Sequence, residues 1–246
     1  MQILGIDIGG SAIKGAPVDV ETGALTAERF RIEVPKKPKP EHVLDCTVEL
    51  IEHFQWQGPV GCTFPAIVKN GVTLSAANVD REWIGYKTQK MLAKKTHLPI
   101  LLINDADAAG IAEMEFGAGL GEKGTVIMLT LGTGIGSAVF LDGKLLPNTE
   151  LGHLEIRGKD AEDRAAARVK TEKKLSWAQW AERLNEYLAR VDLMLSPDLY
   201  IIGGGVSKSH EDFIPLLKSS ARIMPAKLFN DAGIVGAAFA ARELVK

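Results

Sequence analysis

The stretch LGIDIGGSAIKGAPVD (residues 4–19) runs an apolar segment into two glycines and out again into a second apolar segment. LTLGTGIGSAVFLDG (129–143) repeats the arrangement, and DLYIIGGG (198–205) ends a third apolar segment in three glycines. An apolar run interrupted by glycine and resumed reads as strand, tight turn, strand. Glycine has no Cβ, so a ligand can approach the main-chain N–H groups directly, and clustered amides of this kind cradle anions. A single turn of this type needs no ligand to explain it. Three, each after a buried strand, point to phosphate. Ile8-Gly9-Gly10-Ser11 also lies over Leu131-Gly132-Thr133-Gly134 as a short internal repeat, so the chain reads as two similar halves.

Common phosphate-binding loops are excluded by spacing and context. No Gly-x-x-x-x-Gly-Lys-Ser/Thr is present. A dinucleotide fingerprint would have to open a helix, whereas GTGIG is followed by SAVFLDG, an apolar run closed by an Asp-Gly turn, which is a returning strand. What remains is a strand–turn–strand clamp in each half. Asp7, inside the first strand, can then hold Mg²⁺, through water, because Mg²⁺ keeps much of its hydration and takes one or two carboxylates plus substrate phosphates. Lys14 offers a point charge to phosphate oxygens, or is a surface lysine on an edge strand.

Composition narrows the partners. With 246 residues and 46% apolar residues the chain can build one large domain or two small ones. The net charge of −2 gives no global basic field, so nucleic acid is not an expected partner. No apolar run approaches the roughly 20 residues of a membrane span. Only Cys46 and Cys62 are present, without Cys-x-x-Cys, which argues against a disulfide framework or a Cys-rich zinc site. With no leader-like segment at the start, the expectation is a reduced, soluble, cytoplasmic protein.

Further elements follow from periodicity. Helices are predicted over 41–54, 87–97, 106–117, 175–197 and 230–245, and strands over 59–64 and 99–105, with PAIVKNG (65–71) and PKKPKP (35–40) as loops. Ser176 and Gln179 have the spacing of a capping box, and Trp177, Trp180, Leu184, Leu188, Val191 and Leu195 form the apolar face behind it. Asp105 stands at the carboxyl end of ILLIN, where α/β sheets put their ligands. A carboxylate there can take a proton from an attacking hydroxyl, or cap the following helix, a task Asp107 could also perform. His153, read alone, is more often a packing histidine than a ligand.

GIDIGGSAIKGA, NDADAAG, LTLGTGIGSAV, ELGH and IIGGGVSK together resemble the sugar kinases of the ROK family, within the actin-like ATPase (ribonuclease H-like) fold. PNTELGHLE, LSWAQWAERLNEYL and SPDLYIIGGGVSK are similar to the branch of that family that uses polyphosphate. The resemblance covers essentially the whole chain. It implies an α/β architecture of two domains with an interdomain cleft. Residues 1–105 would form the smaller one, completed by the C-terminal helix 231–246, and residues 106–230 the larger. It implies Mg²⁺-dependent transfer of a phosphoryl group from inorganic polyphosphate, with ATP as a possible second donor, to the 6-hydroxyl of glucose, by a homodimer. Alternatives on the same scaffold are an ATP-only kinase for another hexose or an N-acetylated amino sugar, and a non-catalytic sugar sensor. Intact Asp7, Asp105 and both clamps argue against the sensor.

Carried onto this sequence, the resemblance makes Asp105 the catalytic base and gives Asn104, Glu150, His153 and Glu162 contacts with sugar hydroxyls, with Glu155 competing for the place of Glu162. Asn78 is a further candidate at the sugar end, or an ordinary loop residue. Gly9, Gly10, Ser11, Gly132, Thr133, Gly134 and Gly203, Gly204, Gly205 would hold the phosphates, with Lys208 beside the last turn. Many relatives carry a Cys-rich zinc motif after the Gly-His pair. GHLEIRGKDAEDRAA has no cysteine, so no zinc is expected. Sequence does not reveal whether Lys14, Lys87, Lys208 and the lysines of PKKPKP share a face suited to polyphosphate.

Overall fold

The computed structural model describes residues 1–76 and 79–245. They form two compact units, Met1–Ala112 with Asp231–Lys246, and Glu113–Asn230.

The first unit runs β1 (Gln2–Ile8), β2 (Ala12–Asp19), β3 (Ala24–Leu25), β4 (Phe30–Glu33), α1 (Pro40–His53), β5 (Val60–Phe64), β6 (Val68–Lys69), β7 (Val72–Thr73), α2 (Thr88–Thr96), β8 (Ile100–Asn104) and the start of α3 (Asp105–Phe116). Its sheet has the order β3-β2-β1-β5-β8, with β4 also paired to β2. β1 and β2 are antiparallel across the first glycine turn, while β5 and β8 run parallel to β1 and to each other. The second unit runs β9 (Thr125–Leu131), β10 (Ile135–Leu141), β11 (Lys144–Leu146), β12 (Glu155–Ile156), β13 (Lys159–Asp160), α4 (Glu162–Ala165), α5 (Ala167–Glu172), α6 (Trp177–Leu195), β14 (Leu199–Gly203), α7 (His210–Phe213) and β15 (Arg222–Pro225). Its sheet order, β11-β10-β9-β14-β15, again has an antiparallel hairpin followed by parallel strands. The short sequence repeat therefore marks the first hairpin of two sheets with one topology. The last helix, α8 (Ala232–Ala241), belongs to the first unit.

Two predicted features differ. PAIVKNG is not a plain loop: β6 and β7 pair as a small hairpin across Asn70 and Gly71, both at positive φ. Leu195 is 36% exposed, because α6 ends at Ser196 in the left-handed region and the last turn leaves the core. The capping box forms as expected: Ser176 accepts from the Gln179 N–H at 3.2 Å and Gln179 accepts from the Ser176 N–H at 2.9 Å. Trp180, Leu184, Tyr187, Leu188 and Val191 are buried behind it, and Trp177 stacks on Phe213 at 5.7 Å.

α8 joins the first unit by backbone contact. Gly5 and Gly61 are neighbours in the parallel register of β1 and β5. A Cβ on Gly5 would run into the Ile234 carbonyl oxygen, and one on Gly61 into that of Ala237. α8 therefore lies directly on bare sheet, which its Gly- and Ala-rich sequence permits; Ile234, Val235, Ala237, Ala238 and Ala241 are buried there. Close packing at van der Waals distance leaves no slack for an added methyl. Gly61→Ala is expected to lower stability by about 3 kcal/mol, read from the midpoint of urea unfolding. An unchanged midpoint would mean that α8 can slide away without loss.

Candidate functional site

The first unit assembles one group of polar residues at the strand ends. Asp7 and Lys14 stand directly opposite each other in the β1–β2 register, and the Lys14 ammonium donates to Asp7 Oδ2 at 3.1 Å. The other carboxylate oxygen accepts from the Thr63 hydroxyl at 2.9 Å, and that hydroxyl accepts the Ile8 N–H at 3.2 Å. The lysine thus neutralises the aspartate across the hairpin, and Thr63 on β5 fixes its orientation. Sequence reasoning treated Asp7 and Lys14 as separate contacts and missed Thr63. Thr63 is fully buried in the strand PVGCTF, and only its tertiary contacts reveal it.

β8 delivers Asn104 and Asp105. Asn104, 6% exposed, caps α3: its Oδ1 accepts the Asp107 N–H at 3.0 Å and its Nδ2 donates to the Ala66 carbonyl at 3.1 Å. The cap is therefore neither Asp105 nor Asp107. Asp105 is the first residue of the helix, and its Oδ1 accepts the Ala106 N–H at 2.9 Å. A carboxylate in the first turn of a helix sits in the favourable field of the free N–H groups. Asn78 lies outside the described residues.

Each hairpin turn closes with the N–H of its first glycine. Gly9 donates to the Ala12 carbonyl and Gly132 to that of Gly134, each at 3.0 Å. Among the described residues, the N–H groups of Gly10, Ser11, Thr133 and Gly134 have no intrachain acceptor. These residues are half-buried or exposed, so each turn spends one amide on its own closure and leaves two accessible.

In the second unit a carboxylate and a guanidinium hold the turn from behind. Glu162 Oε2 accepts the Ile135 N–H at 3.1 Å, and a Cβ on Gly134 would collide with the same oxygen. Arg168 donates from Nε to the Thr133 carbonyl at 2.6 Å and from its main chain to the Gly132 carbonyl at 3.1 Å, while its Nη2 pairs with Asp163 at 2.6 Å. Gly203 ends β14; Gly204, at φ 84°, turns the chain against the end of β9, and Ser207 closes the turn with its hydroxyl on the Gly204 carbonyl at 2.7 Å. Lys208 is exposed beside it.

The ELGH segment is anchored on β10, where Ser137 Oγ donates to the Thr149 carbonyl at 2.7 Å and accepts the Leu151 N–H at 3.0 Å. The hairpin β12–β13, whose Arg157 and Gly158 both have positive φ as a two-residue turn requires, brings Asp160 to His153. Asp160 Oδ2 lies 2.7 Å from His153 Nδ1, and Glu150 Oε2 lies 4.0 Å from Nε2. The hydrogen bond to Asp160 raises the His153 pKa; burial raises that of Glu150. The Glu162 charge acts on both residues, whereas Glu155 is exposed on β12. Asp160 and Arg168 carry no motif, and only the tertiary contacts reveal them.

The sequence pattern of the ROK family matches residues 3–166. The polyphosphate glucokinase of Mycobacterium tuberculosis is 45% identical over 237 residues, covering 96% of this chain and 89% of that protein. The structure of the inorganic polyphosphate/ATP-glucomannokinase from Arthrobacter sp. strain KM superposes with a TM-score of 0.94 at 46% identity over 99% of each chain. A ROK family glucokinase from Streptomyces griseus, solved with glucose and AMPPNP, shares the fold at a TM-score of 0.83 and 24% identity, over 99% of this chain and 100% of that one. The polar groups at the ends of β1, β8 and β9 are thus carried on the actin-like fold common to these sugar kinases, and the chain belongs to the ROK family.

Proposed function

We propose that this protein is a polyphosphate glucokinase, transferring the terminal phosphoryl group of inorganic polyphosphate to the 6-hydroxyl of glucose. The observation that carries the reading is identity of 45–46% over nearly the full chain to a polyphosphate glucokinase and to a polyphosphate/ATP-glucomannokinase. The second of these also favours ATP as an alternative donor and mannose as an alternative acceptor.

The residues fit roles in that chemistry. Asp105 accepts the proton of the attacking hydroxyl as the O6–P bond forms and the bridging P–O bond breaks, the leaving oxygen remaining with the shortened chain. Asn104, engaged on both sides by the main chain, is a rigid support for it and retains one N–H for a sugar hydroxyl. Glu150, His153 and Glu162 form the hydroxyl-recognising group; Glu162 is preferred over Glu155 because it also touches the glycine turn. A site built around such hydrogen bonds rejects sugars that lack the matching hydroxyl. The paired free amides at Gly10–Ser11 and Thr133–Gly134, with the Gly203–Gly205 turn, bind phosphoryl oxygens.

Mg²⁺ is expected to take part. No group of three or more His, Cys, Asp or Glu side chains suited to a metal occurs among the described residues. Asp7, a single carboxylate oriented by Thr63 and balanced by Lys14, fits an ion that retains its waters, which would supply neutralisation of phosphoryl charge. Among the described residues no helix is long and apolar enough to cross a membrane, and both cysteines are free thiols, that of Cys62 pushed up to about 12 by burial. These features agree with a reduced cytoplasmic setting; a homodimer is the family expectation.

The reading is tested by offering glucose and Mg²⁺ with polyphosphate or, separately, with ATP, and following glucose 6-phosphate. Product from ATP alone would overturn the donor assignment. Asp105→Asn is expected to lower turnover about 10²-fold or more while glucose still binds, since a general base contributes on that scale; near-normal turnover would move the base elsewhere. Asp160→Asn should bring the His153 pKa back toward 6.5. Because the folded-state value is raised, the pair stabilises fully below that ordinary value and ceases to do so as pH climbs through the raised one. The variant should therefore lose more stability at about pH 5.5 than at about pH 9. Equal losses, or an unshifted His153 ring resonance in an NMR titration, would remove Asp160 from this role.

A further inference from the structure

The second unit contains a cavity of about 550 Å³, within the range of small-ligand sites. It is formed by the β12–β13 hairpin, α4, the end of α5 and the outer face of α6, and none of the glycine turns lines it. Its wall carries five cations, Arg157, Lys159, Arg164, Lys173 and Arg183, against three carboxylates. Two of those carboxylates are engaged and the third, Glu182, is exposed with no ion pair among the described residues, so Lys159, Lys173 and Arg183 face one unpaired acid. Glu186 is shared by two guanidinium groups, Arg157 Nε at 2.6 Å and Arg164 Nη2 at 2.8 Å. Asp163 is turned to Arg168, which does not line the cavity. Arg183 donates to the Arg164 carbonyl at 3.3 Å, with no carboxylate partner among the described residues. Lys159 and Lys173 are exposed and likewise lack one. A chain of net charge −2 has concentrated cations on one concave surface.

The arrangement suits a phosphate-rich polyanion better than a single small anion. Glu186 holds two guanidinium forks at fixed positions, so little side-chain freedom is lost when they meet phosphate oxygens. The lysines add movable point charges around them. The wall is also continuous with the phosphate turn: Asp163 lines the cavity, binds Arg168, and Arg168 holds the Thr133 and Gly132 carbonyls. We propose that this surface binds the non-reacting length of a polyphosphate chain. The inference rests on polyphosphate being a ligand, and assigns its distal part to residues 157–183. Each phosphate seated there releases counterions, so affinity should fall steeply with salt.

The test is direct binding of fluorescently labelled long-chain polyphosphate to the full chain and to Lys159→Gln/Lys173→Gln, by anisotropy across a salt series. Both side chains are exposed and make no ion pair among the described residues, so the substitutions spare the packing. The expected result is an affinity loss of about tenfold or more and a salt slope shallower by about one per lysine removed. Unchanged affinity and slope would overturn the proposal, whether or not polyphosphate serves as donor. Initial rates then separate the two readings. A wild-type protein that turns over polyphosphate, with a variant whose kcat/KM falls for long chains but not for ATP, supports both. Wild-type activity on polyphosphate that the variant retains in full leaves the donor assignment standing and sinks the groove. Equal losses with ATP and polyphosphate would indicate damage to the phosphate turn, and would also overturn it. Single-stranded DNA competing as well as polyphosphate at equal phosphate concentration would reduce the surface to a general polyanion patch and count against the assignment.

Discussion

Contact between a helix backbone and a sheet backbone organises the first unit. α8 rests on β1 and β5 at Gly5 and Gly61, where no side chain intervenes. Two residues further along the same strands stand Asp7 and Thr63, joined by a hydrogen bond of 2.9 Å. Strand residues two apart share a face, so the surface that seats α8 continues into the polar group at the strand ends. A Cβ on Gly233, in the first turn of α8, would lie 3.2 Å from the Asp7 carboxyl carbon. The last helix of the chain thereby acts on the environment of a residue near its beginning. The demand for small residues at these positions follows from distance, not from any need for flexibility.

The second unit solves the equivalent problem with charge. Its glycine turn is held by Glu162 on one main-chain N–H and by Arg168 on two carbonyls. The Glu162 charge also reaches Glu150 and His153. One carboxylate therefore couples the Gly132–Gly134 turn to the ELGH segment, and substitutions there should not act independently, since residues sharing partners couple. His153 in turn depends on Asp160, which comes from a hairpin later in the chain. An imidazole with one nitrogen engaged by a carboxylate is held in orientation.

The same unit shows why net charge says little about anion binding at a particular place. A chain with two more acidic than basic residues still builds a cationic concavity, because five cations face three acids on that wall and one of the acids, Asp163, is turned to Arg168 outside it. Of the lysines singled out in the sequence, Lys39 pairs with Glu82 and Lys14 with Asp7. The cations of the cavity are scattered between residues 157 and 183 and attracted no notice there.

Sequence alone was sufficient for the strand–turn–strand hairpins, the capped helix α6, the repeat of the first hairpin and the family. Each of these depends on neighbours in the chain: apolar period, glycine at a turn, a serine three residues before its glutamine. Asp105 at a strand end was legible for the same reason. Tertiary structure alone decided that Asn104 rather than an aspartate caps α3, that Lys14 neutralises Asp7, that Thr63, Asp160 and Arg168 belong to the polar groups, and that five distant cations meet on one wall. Those facts are set by distances between residues far apart in the chain, and no local pattern encodes them.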